Sequence, residues 1–123
     1  MPNRSKQKGD RWERECRDIL EAQGCFVPKA GGSLGMFDLI AIGHGWIICI
    51  QCRCNLWFKS RQERQEFEQI AYENPRISIE LWRKDDRKPA PCIKRYNCSQ
   101  EKWIDSHKQK EWQEIRAQLR KGK

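Results

Sequence analysis

Four polar residues stand where the surrounding pattern calls for apolar ones: Glu13, Asp38, Gln51 and Arg53. Glu13 lies three residues before Cys16 and seven before Leu20, so it borders the apolar stripe of a first helix and can look toward a sheet. Asp38 interrupts the otherwise apolar run Phe37-Asp38-Leu39-Ile40-Ala41-Ile42. Gln51 and Arg53 are two apart in the next extended run and therefore share a face. A carboxylate in a buried strand is costly unless it is paired or bound to a cation. A hairpin that brings Asp38 near Gln51, with Glu13 above them, gives an oxygen-donor set suited to magnesium, which takes one or two carboxylates, waters and a substrate phosphate. The chemistry open to such a site is metal-aided attack of water on a phosphodiester. The same spacing also accommodates a structural ion pair of Asp38 with Arg53, with Gln51 hydrogen-bonded beside it.

Positioning these residues requires a definite series of elements. Trp12, Cys16, Ile19, Leu20 and Gln23 recur at helical spacing from about Gln7, and Gly24 stops the helix. Cys25 to Lys29 reads as short and extended, followed by the loop Ala30 to Gly35. Phe37–Ile42 and Trp46–Cys54 read as strands joined by the turn Gly43-His44-Gly45, the second apolar enough to be central. Ser60 and Glu63 form a capping-box signature for a helix reaching Glu73. Arg76–Trp82 alternates as a half-buried strand, Cys92–Tyr96 reads as an edge strand, and Asp105 as the cap of a last helix striped by Trp112, Ile115 and Leu119. The expectation is an α/β fold with a small mixed sheet between helices. Residues 1–8 form a mobile basic arm, and 9–123 a single domain.

With 123 residues, 37% of them hydrophobic, the chain allows one modest core. A formal charge of +8 favours an anionic partner, nucleic acid before acidic lipid. No apolar run suits a membrane span and the first residues are not those of a secretory signal, so a cytoplasmic, intracellular location is expected. Seven cysteines without a secretory leader argue against a disulfide frame. The spacing of Cys49, Cys52 and Cys54 invites a zinc reading with Cys92 and Cys98, but it falls inside an apolar strand rather than in a turn, which favours free thiols acting as small hydrophobes. Lys8, Arg11, Lys29, Lys59, Arg61, Arg64, Arg116, Arg120 and Lys121 could line a phosphate track or simply be a solvated surface. Of six tryptophans, Trp12, Trp46, Trp82 and Trp112 hold core-pattern positions, while Trp57 and Trp103 could stack on bases.

The run from Lys8 to Glu15 (Lys-Gly-Asp-Arg-Trp-Glu-Arg-Glu), the stretch Gly31 to Ala41 and the strand Ile48 to Arg53 resemble archaeal-type Holliday-junction resolvases of the PD-(D/E)XK nuclease superfamily. The resemblance covers about residues 8–83, in order and spacing. It implies a restriction-endonuclease-like αβββαβ core with an extra C-terminal helix, and a metal-dependent, structure-selective endonuclease acting on branched DNA, as a homodimer with magnesium or manganese. By position it assigns Glu13, Asp38 and Gln51 to the metal, Arg53 to the motif lysine, Ser33 to the loop serine near the active site, and Lys29 to the phosphate backbone. Phe37 replaces the motif proline, a harmless change. Gln51 in place of Glu removes one negative charge and weakens metal binding. Arginine keeps its proton at any working pH, so Arg53 cannot deprotonate water as lysine can, though its fork can hold a phosphate. A nuclease-fold DNA-binding module with impaired chemistry is the alternative.

Overall fold

The computed structural model describes residues 4–28, 36–43 and 45–122, with side chains from residue 6 onward. Helix α1 spans Arg4–Ala22 and buries Trp12, Cys16, Ile19 and Leu20 along one face. It begins within the stretch expected to be an arm. Lys6, Gln7 and Lys8 are good helix formers, and the Lys8 ammonium holds both Asp86 carboxylate oxygens at 2.9 Å. The helix ends as its periodicity implies: Gly24 takes φ +92°, and Cys25 N–H bonds to Leu20 O at 3.0 Å.

Strands β1 (Leu39–Gly43) and β2 (Trp46–Cys54) form the expected hairpin, in register Leu39↔Ile50 to Gly43↔Trp46. A strand before them is reduced to one antiparallel bridge, Phe26↔Ile42. Helix α2 (Arg61–Glu73) starts at the N-cap Ser60, whose side chain accepts from Glu63 N–H. It leads to β3 (Ile77–Lys84), which runs parallel to β2. Strands β4 (Cys92–Asn97) and β5 (Lys102–Asp105) follow antiparallel, then α3 (Gln109–Lys121). The sheet order is β1-β2-β3-β4-β5.

Two expectations from the sequence are corrected here. Strand β4 is interior, since β5 pairs along its far side. Asp105 closes β5 instead of capping α3, which begins after Lys108 with no side-chain cap bond. The segment Lys-Trp-Ile-Asp is too short for alternation to reveal a strand. Its pairing is set by the turn before it, where Glu101 takes φ +52°.

Residue parity along β2 separates two cores. Ile48 and Ile50 pack with α1, α3, Trp82, Ile93 and Trp112. Cys49 lies on the other face, with Phe67, Ala71, Ile79 and Leu81 beneath α2. Among the described residues no helix is long and apolar enough to cross a membrane. The cysteines are free, Cys16 and Cys25 being buried. Trp57 and Trp103 are both half-buried in the α2-side core. Trp57 lies beneath Arg83 and Lys94, while Trp103 packs on Phe58 and Tyr96 and donates to Glu68.

Candidate active site

At the end of β2 the chain forms a cleft of about 610 Å³, whose lining includes Glu13, Asp38, Gln51, Arg53 and Lys59. Asp38 falls just before β1 instead of inside it. Its N–H donates to Ile50 O at 2.9 Å, and its Oδ2 accepts from Cys52 N–H at 2.9 Å. The side chain thus takes a strand amide that a backbone carbonyl would otherwise hold, and the two bonds bracket Gln51. Gln51 and Arg53 lie on the α2 face, with Leu81 and Arg83 as their β3 register partners. Glu13 belongs to α1, which covers the opposite face, yet it reaches the same cleft at the sheet's end.

The electrostatics of the cleft tie the two carboxylates together. Burial pushes the Glu13 carboxyl above its ordinary range, and the negative charges of Asp38 and then Asp10 raise it further, against Arg17. Burial likewise raises Asp38, opposed by the Cys52 amide, Arg53 and Lys59. The Gln51 amide makes no hydrogen bond among the described residues. Below Asp38, Cys52 packs against the core that contains Cys16 of α1, which joins helix and strand at the floor of the site.

Arg53 does not pair with Asp38. Its guanidinium holds Glu63 Oε1 at 2.7 Å, with the side chain only 6% exposed and its Nε lacking a hydrogen bond. Glu63 Oε1 also accepts from Lys59 N–H at 2.9 Å, while Ser60 Oγ accepts from Glu63 N–H at 3.0 Å. One carboxylate therefore ties the residue before the N-cap to the helix and anchors Arg53. Burial alone would raise Glu63; the Lys59 amide and Arg53 outweigh it and hold the carboxyl below its usual range. The capping box is visible in the sequence, but its hold on Arg53 across the turn is not.

Among the described residues no three His, Cys, Asp or Glu side chains cluster as a metal site. The donors at hand are two carboxylates that repel each other and one unpaired amide. Magnesium tolerates such a set, because water and substrate phosphate complete its shell. The basic residues divide: Lys8 and Lys59 line the cleft, as do Lys6 and Asn55, which sequence reasoning did not single out. Arg11 lines a neighbouring groove. Arg61 is exposed on α2, outside the cleft lining, and Arg64 is paired with Glu68 at 2.9 Å. Ser33 and Lys29 lie outside the described residues.

No protein-family model matches the chain, and no curated protein is similar to it in sequence. Among solved structures it is similar to Archaeoglobus fulgidus Hjc, a Holliday junction resolvase from an archaeal hyperthermophile, with a TM-score of 0.53 and 19% identity over 70% of each chain. The fold is therefore the restriction-endonuclease-like α/β fold: a mixed five-stranded sheet flanked by helices.

Proposed function

We propose that this chain is a metal-dependent DNA endonuclease of the PD-(D/E)XK kind that cuts branched, junction-type DNA as a homodimer in the compartment holding the genome. The observation that carries the reading is the meeting of Glu13 and Asp38 in one cleft, with Gln51 between the two strand bonds of Asp38. Bound there, magnesium or manganese supplies an activated water and screens charge on the phosphate. Glu13, Asp38 and Gln51 hold the cation, and the Cys52 amide keeps the Asp38 carboxylate aimed. Lys8 and Lys59 attract the backbone from the cleft wall, joined by Arg11, Arg61 and Arg64 outside it. By resemblance alone, Ser33 belongs to this reading as the loop serine near the active site and Lys29 as the residue facing the phosphate backbone. Arg53, committed to Glu63, holds the turn beside the cleft and does not serve as the base.

Homodimerisation is supported by an exposed apolar margin. Phe26 (66% exposed) bridges Ile42 (43%), and Ile42 pairs with Ile47 (39%) at the open edge of the sheet. The alternative, a DNA-binding module without chemistry, is favoured by one feature: Arg53 is committed to Glu63 beside a neutral Gln51.

Incubation with four-way junctions, duplex and single strands, plus magnesium or manganese, separates these readings. The nuclease cuts junctions, and Asp38→Ala abolishes cutting. Cutting that survives Asp38→Ala rejects the assigned site. Binding without cleavage under every divalent ion establishes the binding module instead.

A further inference from the structure

Beside the cleft lies a second groove, of about 260 Å³, between α1, α3 and the turn after β3. Lys8 and Cys54 line both hollows, so the groove continues the cleft across the first turns of α1. Its charges are unbalanced. Asp86 is taken by Lys8 at 2.9 Å, and Asp85 by Arg83 at 2.6 Å. Glu15 then stands alone against Arg11, Lys84, Arg116 and Arg120. It sits 3.6 Å from Arg116 Nε and 3.8 Å from Arg120 NH1, beyond hydrogen-bond reach of either. Arg11 is exposed and has no partner among the described residues. Among the described residues the Lys84 ammonium donates to two backbone carbonyls, those of Asp85 and Lys88.

Arg116 makes this a built site. It is 6% exposed, lies 6.0 Å over the Trp12 ring, and donates through NH1 to Pro89 O at 2.9 Å, yet its Nε has no hydrogen bond. The Glu15 carboxylate, 3.6 Å from that Nε, offsets part of the charge without a hydrogen bond and leaves the guanidinium lining the groove. Arginine forks suit phosphate oxygens in particular.

We infer that this groove is a second phosphate-binding site, in which Arg11, Arg116 and Arg120 hold the DNA backbone as it leaves the cleft. The inference rests on the DNA-binding reading above and adds a footprint to it. The resolvase-like motifs end near residue 83, whereas α3 forms one wall of the groove. The C-terminal helix therefore acts as a strand guide.

The test is anisotropy of a labelled four-way junction, titrated with chelator present across a series of potassium chloride concentrations. Arg11→Ala/Arg120→Ala should flatten the slope of log affinity against log salt by about 2, since each lost phosphate contact removes about 0.9. At a fixed moderate salt its affinity should fall at least about ten-fold. Lys102→Ala/Lys110→Ala, an equal charge loss at exposed positions outside both hollows, should leave the slope near that of the parent. Glu15→Gln should tighten binding about three-fold, by removing the groove's opposing carboxylate, while Glu114→Gln on the exposed side of α3 should not. Equal effects of the two lysine and arginine doubles, or an unchanged slope in Arg11→Ala/Arg120→Ala, overturn the groove while leaving DNA binding intact. A parent that binds no junction overturns both readings, as does arginine-dependent capture of anionic lipid vesicles in place of DNA.

Discussion

At the scale of single residues, the proposed site departs in charge from the motif it resembles. Glutamine at position 51 supplies an oxygen without a negative charge, and Gln51→Glu should bind manganese about ten-fold more tightly, a difference of about 1.4 kcal/mol, measured by calorimetric titration. An unchanged affinity would place Gln51 outside the cation's reach. The carboxyls of Glu13 and Asp38 are both raised by burial, so protons would compete with the proposed cation above the usual carboxylate range. The sign follows from linkage: a group raised in the folded state contributes stability below its unfolded pKa and loses it as pH rises through the folded value. Asp38→Asn should therefore raise the melting temperature of metal-free protein near neutral pH while eliminating its stabilisation by manganese. Glu63 has the opposite sign, its contribution being lost as pH falls through its lowered folded value. Glu63→Ala should cost about 3 kcal/mol in urea unfolding, because it leaves a buried Arg53 uncompensated. The meeting of Asp38 and Gln51 in one cleft was legible because both break apolar runs. The fixing of Arg53 was not, because its partner sits on another element and was already accounted for as a cap.

Among the elements, the hairpin and the first two helices follow local periodicity, and their sequence signals hold to within a few residues. Strand β5 and the start of α3 escape it: four residues cannot display alternation, and Asp105 serves equally as a cap or a strand end. Strand β3 carries the most unusual group, Glu80, which is 1% exposed and receives hydrogen bonds from Ser78 Oγ and Trp82 Nε1 at 3.0 Å each. Burial pushes its carboxyl up to about 7 despite those bonds and the positive charges of Arg95 and Lys108. By the same sign rule its contribution is full below the ordinary glutamate range and fades as pH rises to about 7. The change is on the order of 3 kcal/mol. Glu80→Gln should flatten the dependence of urea stability on pH over that window, and an undiminished slope would show that Glu80 is not its source. The alternating pattern Arg-Ile-Ser-Ile-Glu-Leu-Trp leads one to expect Glu80 on a solvated face. It is buried on the face where Trp82, which donates to it, packs on Trp112 of α3, a contact between distant parts of the chain that no local pattern encodes.

For the whole molecule, the fold places a carboxylate-bearing cleft and an arginine-lined groove side by side at one end of the sheet and an apolar margin at the β1 edge. Sedimentation should show a dimer that Phe26→Ser/Ile42→Ser shifts toward the 14.8 kDa monomer; a parent already monomeric at the highest concentration would remove the dimer. The central claim is that a helical carboxylate, a strand-entry carboxylate and a strand amide converge on one divalent cation. Free manganese, followed by its paramagnetic resonance during titration of the DNA-free protein, tests this directly. The account requires one ion bound per chain, with binding lost in Asp38→Ala and weakened in Glu13→Gln. A stoichiometric ion retained unchanged in Asp38→Ala, or no binding by the parent at any concentration, would contradict it.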